Sequence, residues 1–194
     1  MAEQFALEGF EPPPKPTDRL FFAIFPTAYV AERIAQLAQQ LRGEHGLKGK
    51  ALATPRFHIT LYHVGDYVGL PQAIVSRACA AATTVVMPPF KVAFDRAMSF
   101  ARPSNRPFVL RGGDGLAALM AFQQALHTAL DKAGLGGAKE NAHYTPHVTL
   151  LYDDHGVAEQ AIDTIDWTVH EFVLVRSLLG KTQHIPLARW PLLP

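Results

Sequence analysis

Two histidines, each followed two residues later by a threonine, stand 89 positions apart in this chain of 194 residues. The stretches read Phe57-His58-Ile59-Thr60-Leu61-Tyr62 and Pro146-His147-Val148-Thr149-Leu150-Leu151-Tyr152. On a β-strand residues i and i+2 point to one face. Regular alternation therefore puts His58 beside Thr60 and His147 beside Thr149, with Ile59, Leu61, Val148 and Leu150 on the opposite faces. One such pair is ordinary strand packing. Two pairs in apolar, β-branched runs, each with a proline shortly before the histidine (Pro55, Pro146), indicate a shared task. Imidazole titrates near neutrality, and surroundings can split two of them into a base and an acid. The reaction that needs both is in-line displacement at phosphorus. One imidazole takes a proton from attacking water, and the other protonates the oxygen that leaves on the opposite side. The threonine hydroxyls can donate to the non-bridging oxygens, where charge sits in the transition state. A strained cyclic phosphate needs no metal for this. The working assignment makes His147 the base and His58 the acid, although either residue fits either part.

Nine histidines raise the question of a metal centre. His143 and His147 have the spacing of a helical pair, but Pro146 lies between them and the segment reads as extended, so no helical face is shared. Neither motif contains a carboxylate, and Asp153-Asp154-His155 reads as a polar turn. No metal and no cofactor is expected. His45, His127, His170 and His184 show no partner pattern and read as surface or structural residues. Gly112-Gly113-Asp114-Gly115 precedes a helical stretch but lacks the Lys and Ser/Thr of a phosphate-binding loop, so it reads as a connection.

The elements that would carry the motifs follow from periodicity. Arg19–Phe25 is a continuous apolar run bounded by Asp18 and Pro26 and reads as a buried strand. Thr27 can cap a helix over Ala28–Gly43, where Val30, Ile34, Leu37, Ala38 and Leu41 keep the helical spacing. The first motif strand is expected over Phe57–Val64, a helix over Leu70–Thr83 and a long strand over Phe90–Phe100. Arg102–Pro107 reads as a turn, Phe108–Arg111 as a strand and Leu116–Ala133 as a helix ending at Gly134. After a loop beginning at Gly136-Gly137 come the second motif strand, His147–Tyr152, a short helix around Ala158–Ile165, and strands over Thr168–Ser177 and His184–Trp190.

This order nearly repeats. Phe22 to His58 spans 36 positions, and Val109 to His147 spans 38. The expectation is a two-lobed α+β fold, duplicated about a pseudo-two-fold axis, with mainly antiparallel sheets facing a central cleft and helices outside. The pseudo-repeats cover approximately 19–100 and 108–177 of one bilobal domain, 19–194, after a flexible Pro-rich leader over 1–18.

Composition sets the broad class. An apolar fraction of 48% with 18% charged residues describes a soluble globular protein with a sizeable core. A net charge of +1 supplies no strong global field toward nucleic acid. Loop cations at the motif ends (Arg56, Lys48, Lys50, Arg102, Arg106 and Lys139) can still make a cleft mouth positive, and salt would then weaken binding of an RNA end. The single cysteine, Cys79, reads as a buried structural thiol and fits a reducing cytoplasm. Neither a secretory signal nor a membrane-spanning run is visible.

On these residues the chain resembles the two-histidine (2H) phosphoesterase superfamily, within it the bacterial RNA 2′,3′-cyclic phosphodiesterases, also called the 2′-5′ RNA ligase family. The resemblance spans nearly the whole chain from Arg19. Besides the two motifs it includes the opening Arg19-Leu20-Phe21-Phe22-Ala23, the stretch Glu171–Ser177 and the closing Leu187-Ala188-Arg189-Trp190-Pro191. It implies a two-lobed fold, a metal-independent site and hydrolysis of a 2′,3′-cyclic phosphate to a 2′-phosphate. The catalytic histidines would be His58 and His147, and the phosphate-binding threonines Thr60 and Thr149. Many relatives carry Arg where this chain has Tyr152, and Arg or Ala followed by Phe where it has Tyr62-His63. Tyr62 and Tyr152 are candidate substrate contacts, able to stack on a base. The expected partner is an RNA 3′ end or a nucleotide bearing a 2′,3′-cyclic phosphate, taken up by a monomer away from membranes. A reversible 2′-5′ ligase, or a phosphodiesterase acting on other small cyclic phosphates or 2′-5′ links, would use the same four residues. A non-catalytic RNA-end-binding module would not need an imidazole in both motifs.

Overall fold

The computed structural model describes residues 14–136 and 144–193. Part of the Pro-rich leader, together with Gly137, Lys139 and His143, lies outside the described residues. Among the described residues the order is strand β1 (Asp18–Ile24), helix α1 (Ala28–Glu44), strand β2 (Ile59–Tyr67), helix α2 (Gln72–Thr83) and strand β3 (Phe90–Ser99). It continues through strand β4 (Arg106–Arg111), helix α3 (Ala117–Lys132) and strands β5 (Val148–Asp153), β6 (Gln160–Val169), β7 (Glu171–Leu178) and β8 (Gln183–Pro191). Thr27 caps α1 as expected, its hydroxyl accepting from the Val30 amide at 3.3 Å. Gly134, at φ +71°, follows the end of α3.

The strands form two four-stranded antiparallel sheets, ordered β2-β1-β7-β8 and β5-β4-β3-β6. The α+β class and the two-sheet architecture are those expected. The element order repeats only in part. Strand β3 pairs with β4 in the second sheet, and β7 pairs with β1 in the first. Each half of the chain therefore lends a strand to the sheet that holds the other half's motif.

Two local expectations fail. Residues expected as a helix around Ala158–Ile165 lie largely in β6, and the single strand expected over Thr168–Ser177 is broken at His170. On the two sides of that break the chain belongs to different sheets. In β6 the buried positions Ile165, Trp167 and Val169 alternate. A register shift opposite Phe94 and Arg96 displaces Ile162 from that alternation. Apolar residues three apart then mimic a helical repeat.

One face of β1, Leu20, Phe22 and Ile24, joins the main core with Ile34 of α1 and Phe122 of α3. The Phe122 ring lies 5.5 Å from Phe90 of β3 and 5.0 Å from Phe172 of β7, so α3 ties the two sheets through aromatic contact. The other face carries a small cluster, Phe21, Ala23, Val173 and Val175, with Phe25 against it. Among the described residues no helix is long and apolar enough to cross a membrane.

Candidate active site

Both motif histidines sit immediately before their strands, His58 before β2 and His147 before β5. Each is fixed by the same local bond. His58 Nδ1 lies 2.7 Å from the Arg56 carbonyl oxygen, and His147 Nδ1 lies 2.7 Å from that of Thr145. A carbonyl only accepts, so each neutral ring carries its proton on Nδ1 and leaves Nε2 as a bare base. Phe21 and Phe25 flank the His58 ring at 5.2 and 5.9 Å, and the edge of Phe100 meets His147 at 4.9 Å.

The strands then depart from regular alternation, and they do so in the same way. Phe22 pairs with Tyr62 and Ala23 with Thr60, which leaves Leu61 as an extra residue. Phe108 pairs with Leu151 and Val109 with Thr149, which leaves Leu150 extra. A bulge of this kind reverses the facing of everything beyond it. Thr60 and Thr149 face the cleft with their histidines, but Tyr62 does not. Tyr62 is 1% exposed, and its hydroxyl donates to the Leu135 carbonyl at 2.8 Å. The expectation that Tyr62 touches substrate is thereby corrected. Tyr62→Phe should cost on the order of 1 kcal/mol in stability, from one lost buried hydrogen bond, and leave substrate affinity unchanged. Denaturant unfolding beside a binding titration checks both.

The residues that take the cleft positions beyond the bulges are His63 and Tyr152. Sequence reasoning missed His63. Its Nε2 lies 3.0 Å from Asp66 Oδ1, and Arg19 grips the Asp66 carboxylate with two hydrogen bonds of 2.7 Å. The Arg19 guanidinium, aided by His63, holds Asp66 down to about 2, so this support is ionised.

The two flanks of the cleft share Thr60, His63, His147, Thr149 and Tyr152. One flank, about 490 Å³, adds Phe100, Arg102 and Tyr144. The other, about 460 Å³, adds His58, Arg56, Arg19 and His184. Among the described residues no Asp or Glu lines either flank. The loop between α1 and β2 stitches the motifs together. The Leu52 amide donates to the Leu150 carbonyl at 2.8 Å, and the Gly49 amide donates to Asp153 Oδ2 at 2.6 Å. Gly49 is required there, because a Cβ would stand 1.9 Å from the Tyr152 carbonyl oxygen.

Of the cations expected at the mouth, Arg56 and Arg102 line the cleft. Arg106 lines an adjoining cavity and donates to the Arg102 and Asp154 carbonyls, while Lys48 sits in a separate cavity with Asp153 and Asp154. Lys50 is exposed, and Lys139 is outside the described residues.

Burial lowers both catalytic candidates. Desolvation takes His58 from 6.5 to about 4 against the opposing Arg56 carbonyl bond, with the nearby His184, His147 and Arg56 adding to the drop. His147 is lowered by desolvation and by Arg111 and Arg102. Both rings are therefore neutral at neutral pH in the free protein. An anion bound between them would favour the charged form of one.

The sequence and the fold are matched in known proteins. The family model for the 2′-5′ RNA ligase superfamily aligns with residues 30–181. The chain belongs to the 2′-5′ RNA ligase superfamily, the two-histidine phosphoesterases. Its fold is also that of E. coli LigT. The LigT crystal structure with 3′-AMP is 24% identical, with a TM-score of 0.72 over 93% of this chain and 100% of LigT. The LigT complex with ATP is 23% identical, with a TM-score of 0.71 over the same shares. The protein TT0787 of Thermus thermophilus is 19% identical, with a TM-score of 0.68 over 90% of this chain and 97% of its own. No curated protein matches the chain. In this member of the superfamily both histidine–threonine pairs converge on one cleft, each on a different sheet.

Proposed function

We propose that the protein hydrolyses the 2′,3′-cyclic phosphate of an RNA end or nucleotide to a 2′-phosphate, without a metal, in the cytoplasm. The observation that carries this reading is the matched seating of His58 and His147, each with Nδ1 tied to a backbone carbonyl and its other nitrogen free to exchange protons. The working enzyme holds one imidazole neutral and the other as an imidazolium, whose proton comes from solvent and whose charge the phosphate anion beside it stabilises. The neutral Nε2 takes a proton from water as the water oxygen bonds to phosphorus. The bond from phosphorus to the 3′ oxygen breaks, and the imidazolium Nε2–H protonates that oxygen. The rings have then exchanged protonation states, and solvent exchange resets them. Thr60 and Thr149 donate to the non-bridging oxygens, where a preorganised donor acts on developing charge. Tyr152, 40% exposed on the cleft wall, and the aromatic flank of Phe100 and Tyr144 offer surfaces for a base. The complexes of LigT with 3′-AMP and ATP support a nucleotide-sized ligand for this fold.

The test is a product assay on a cyclic mononucleotide and on an RNA ending in 2′,3′-cyclic phosphate, with excess EDTA present. Conversion of both to the 2′-phosphate, unaffected by EDTA, is the expected result. A 3′-phosphate product, or activity lost to the chelator and restored by a metal, would refute the mechanism.

A further inference from the structure

Two enclosed donors on the His58 flank have no part in the chemistry at the scissile phosphate. Arg56 ends a short 3₁₀ turn just ahead of the first motif. His184 lies in β8, at the far edge of the same sheet. Both line the cavity of about 460 Å³ that holds His58. The His184 ring meets the His58 ring edge-on at 5.2 Å and 81°. Arg56 Nε and His184 Nδ1 are both buried, and neither has a hydrogen-bond partner among the described residues. Buried polar groups are nearly always paired, and the two residues that carry these orphans come from separate elements and line one cavity. Arg Nε can only donate, and a histidine nitrogen donates in one tautomer or when protonated. Among the described residues the cavity lining holds no Asp or Glu to supply the acceptor, while Ser177 and Thr182 add hydroxyls to the same wall. A guanidinium and an imidazole whose cavity has no carboxylate among its described lining residues, beside a phosphate site, match the oxygens of a second phosphate.

We propose that Arg56 and His184 form a second phosphate subsite, which holds the 5′-phosphate of the nucleotide whose cyclic phosphate lies between His58 and His147. The inference rests on the cyclic phosphodiesterase reading of the cleft. A 2′,3′-cyclic phosphate ends the chain on its 3′ side, so the nearest other phosphate is the one on the 5′ side. The enzyme then selects a phosphorylated strand end over a bare nucleoside cyclic phosphate.

Calorimetric titration with two ligands that are not turned over, adenosine 3′-monophosphate and adenosine 3′,5′-bisphosphate, tests this at fixed ionic strength. The wild-type protein should bind the bisphosphate roughly tenfold more tightly, the scale of one hydrogen bond to a charged group. Arg56→Gln and His184→Gln should each remove most of that preference and keep monophosphate affinity within about threefold, which also reports that the variant is folded. Arg102→Gln, on the opposite flank, should leave the preference in place. Equal wild-type affinity for the two ligands would overturn the subsite. Equal weakening of both ligands in the Arg56 and His184 variants would do the same, as would loss of the preference in Arg102→Gln. Because the readout is binding, failure to hydrolyse any cyclic phosphate would sink the proposed reaction and still leave this result legible.

Discussion

Replacing either His58 or His147 with alanine should lower kcat/KM on a 2′,3′-cyclic nucleotide by about 10²–10⁴-fold, the usual scale for losing a general acid or base. The double variant should be little worse than either single one, because the two groups act in one transition state and their losses do not add. Thr60→Ala or Thr149→Ala should cost less, on the order of 1–3 kcal/mol in transition-state stabilisation for one charged hydrogen bond. The wild-type rate should trace a bell against pH, and each single histidine variant should lose one limb. Which limb goes with which residue settles whether His147 is the base and His58 the acid, since their backbone bonds are equivalent. The His147 change removes the 2.7 Å bond to the Thr145 carbonyl and the contact with the Phe100 ring, so circular dichroism and thermal melting serve as controls. A fully active single variant would end the two-histidine mechanism.

The four residues that carry this prediction were legible because the signal is short-range and repeated. Two residues apart on a strand means one face, and Thr60 and Thr149 precede the bulges that would have upset the parity. Beyond Leu61 and Leu150 the same reasoning fails by one residue. It put Tyr62 in the cleft, whereas Tyr62 is buried and His63 takes the place. The sequence does hold a sign of this. In both motifs two bulky apolar residues follow the threonine in succession, Leu61-Tyr62 and Leu150-Leu151, and a strictly alternating half-buried strand has no room for the second. The exchange of β3 and β7 between sheets was hidden for another reason. The turn expected over Arg102–Pro107 does follow β3, though Arg106 and Pro107 belong to β4; it closes a β3–β4 hairpin between the two halves, and only pairing over long separations shows where β7 goes. His184 reaches His58 through that same long-range pairing, β8 on β7 and β7 on β1, so no local pattern could mark it.

Acidification should destabilise the protein in two separable stages, the first governed by the cleft histidines. His58 titrates at about 4 in the folded protein against an ordinary 6.5, because burial penalises its charged form. Above the ordinary value both folded and unfolded chains keep this imidazole neutral, and it has no effect on stability. Between about 6.5 and 4 the unfolded chain takes up a proton that the folded chain refuses. Stability therefore falls as pH falls through that window and levels off once the folded state is protonated as well. His147 and His184, both lowered first by burial, act in the same direction. The carboxylates act later. Asp66, held at about 2 chiefly by Arg19, contributes stability that is complete above the ordinary carboxylate value of 3.8 and is lost only below it. Urea unfolding of the wild type and His58→Asn, at about pH 7 and about pH 4.5, isolates the first stage. The wild type should lose about 2–3 kcal/mol more than His58→Asn between those conditions, the integral of one histidine's shift over that window. Equal losses in the two proteins would mean that the His58 imidazole titrates as it does in water, and that burial does not keep it neutral in the free protein.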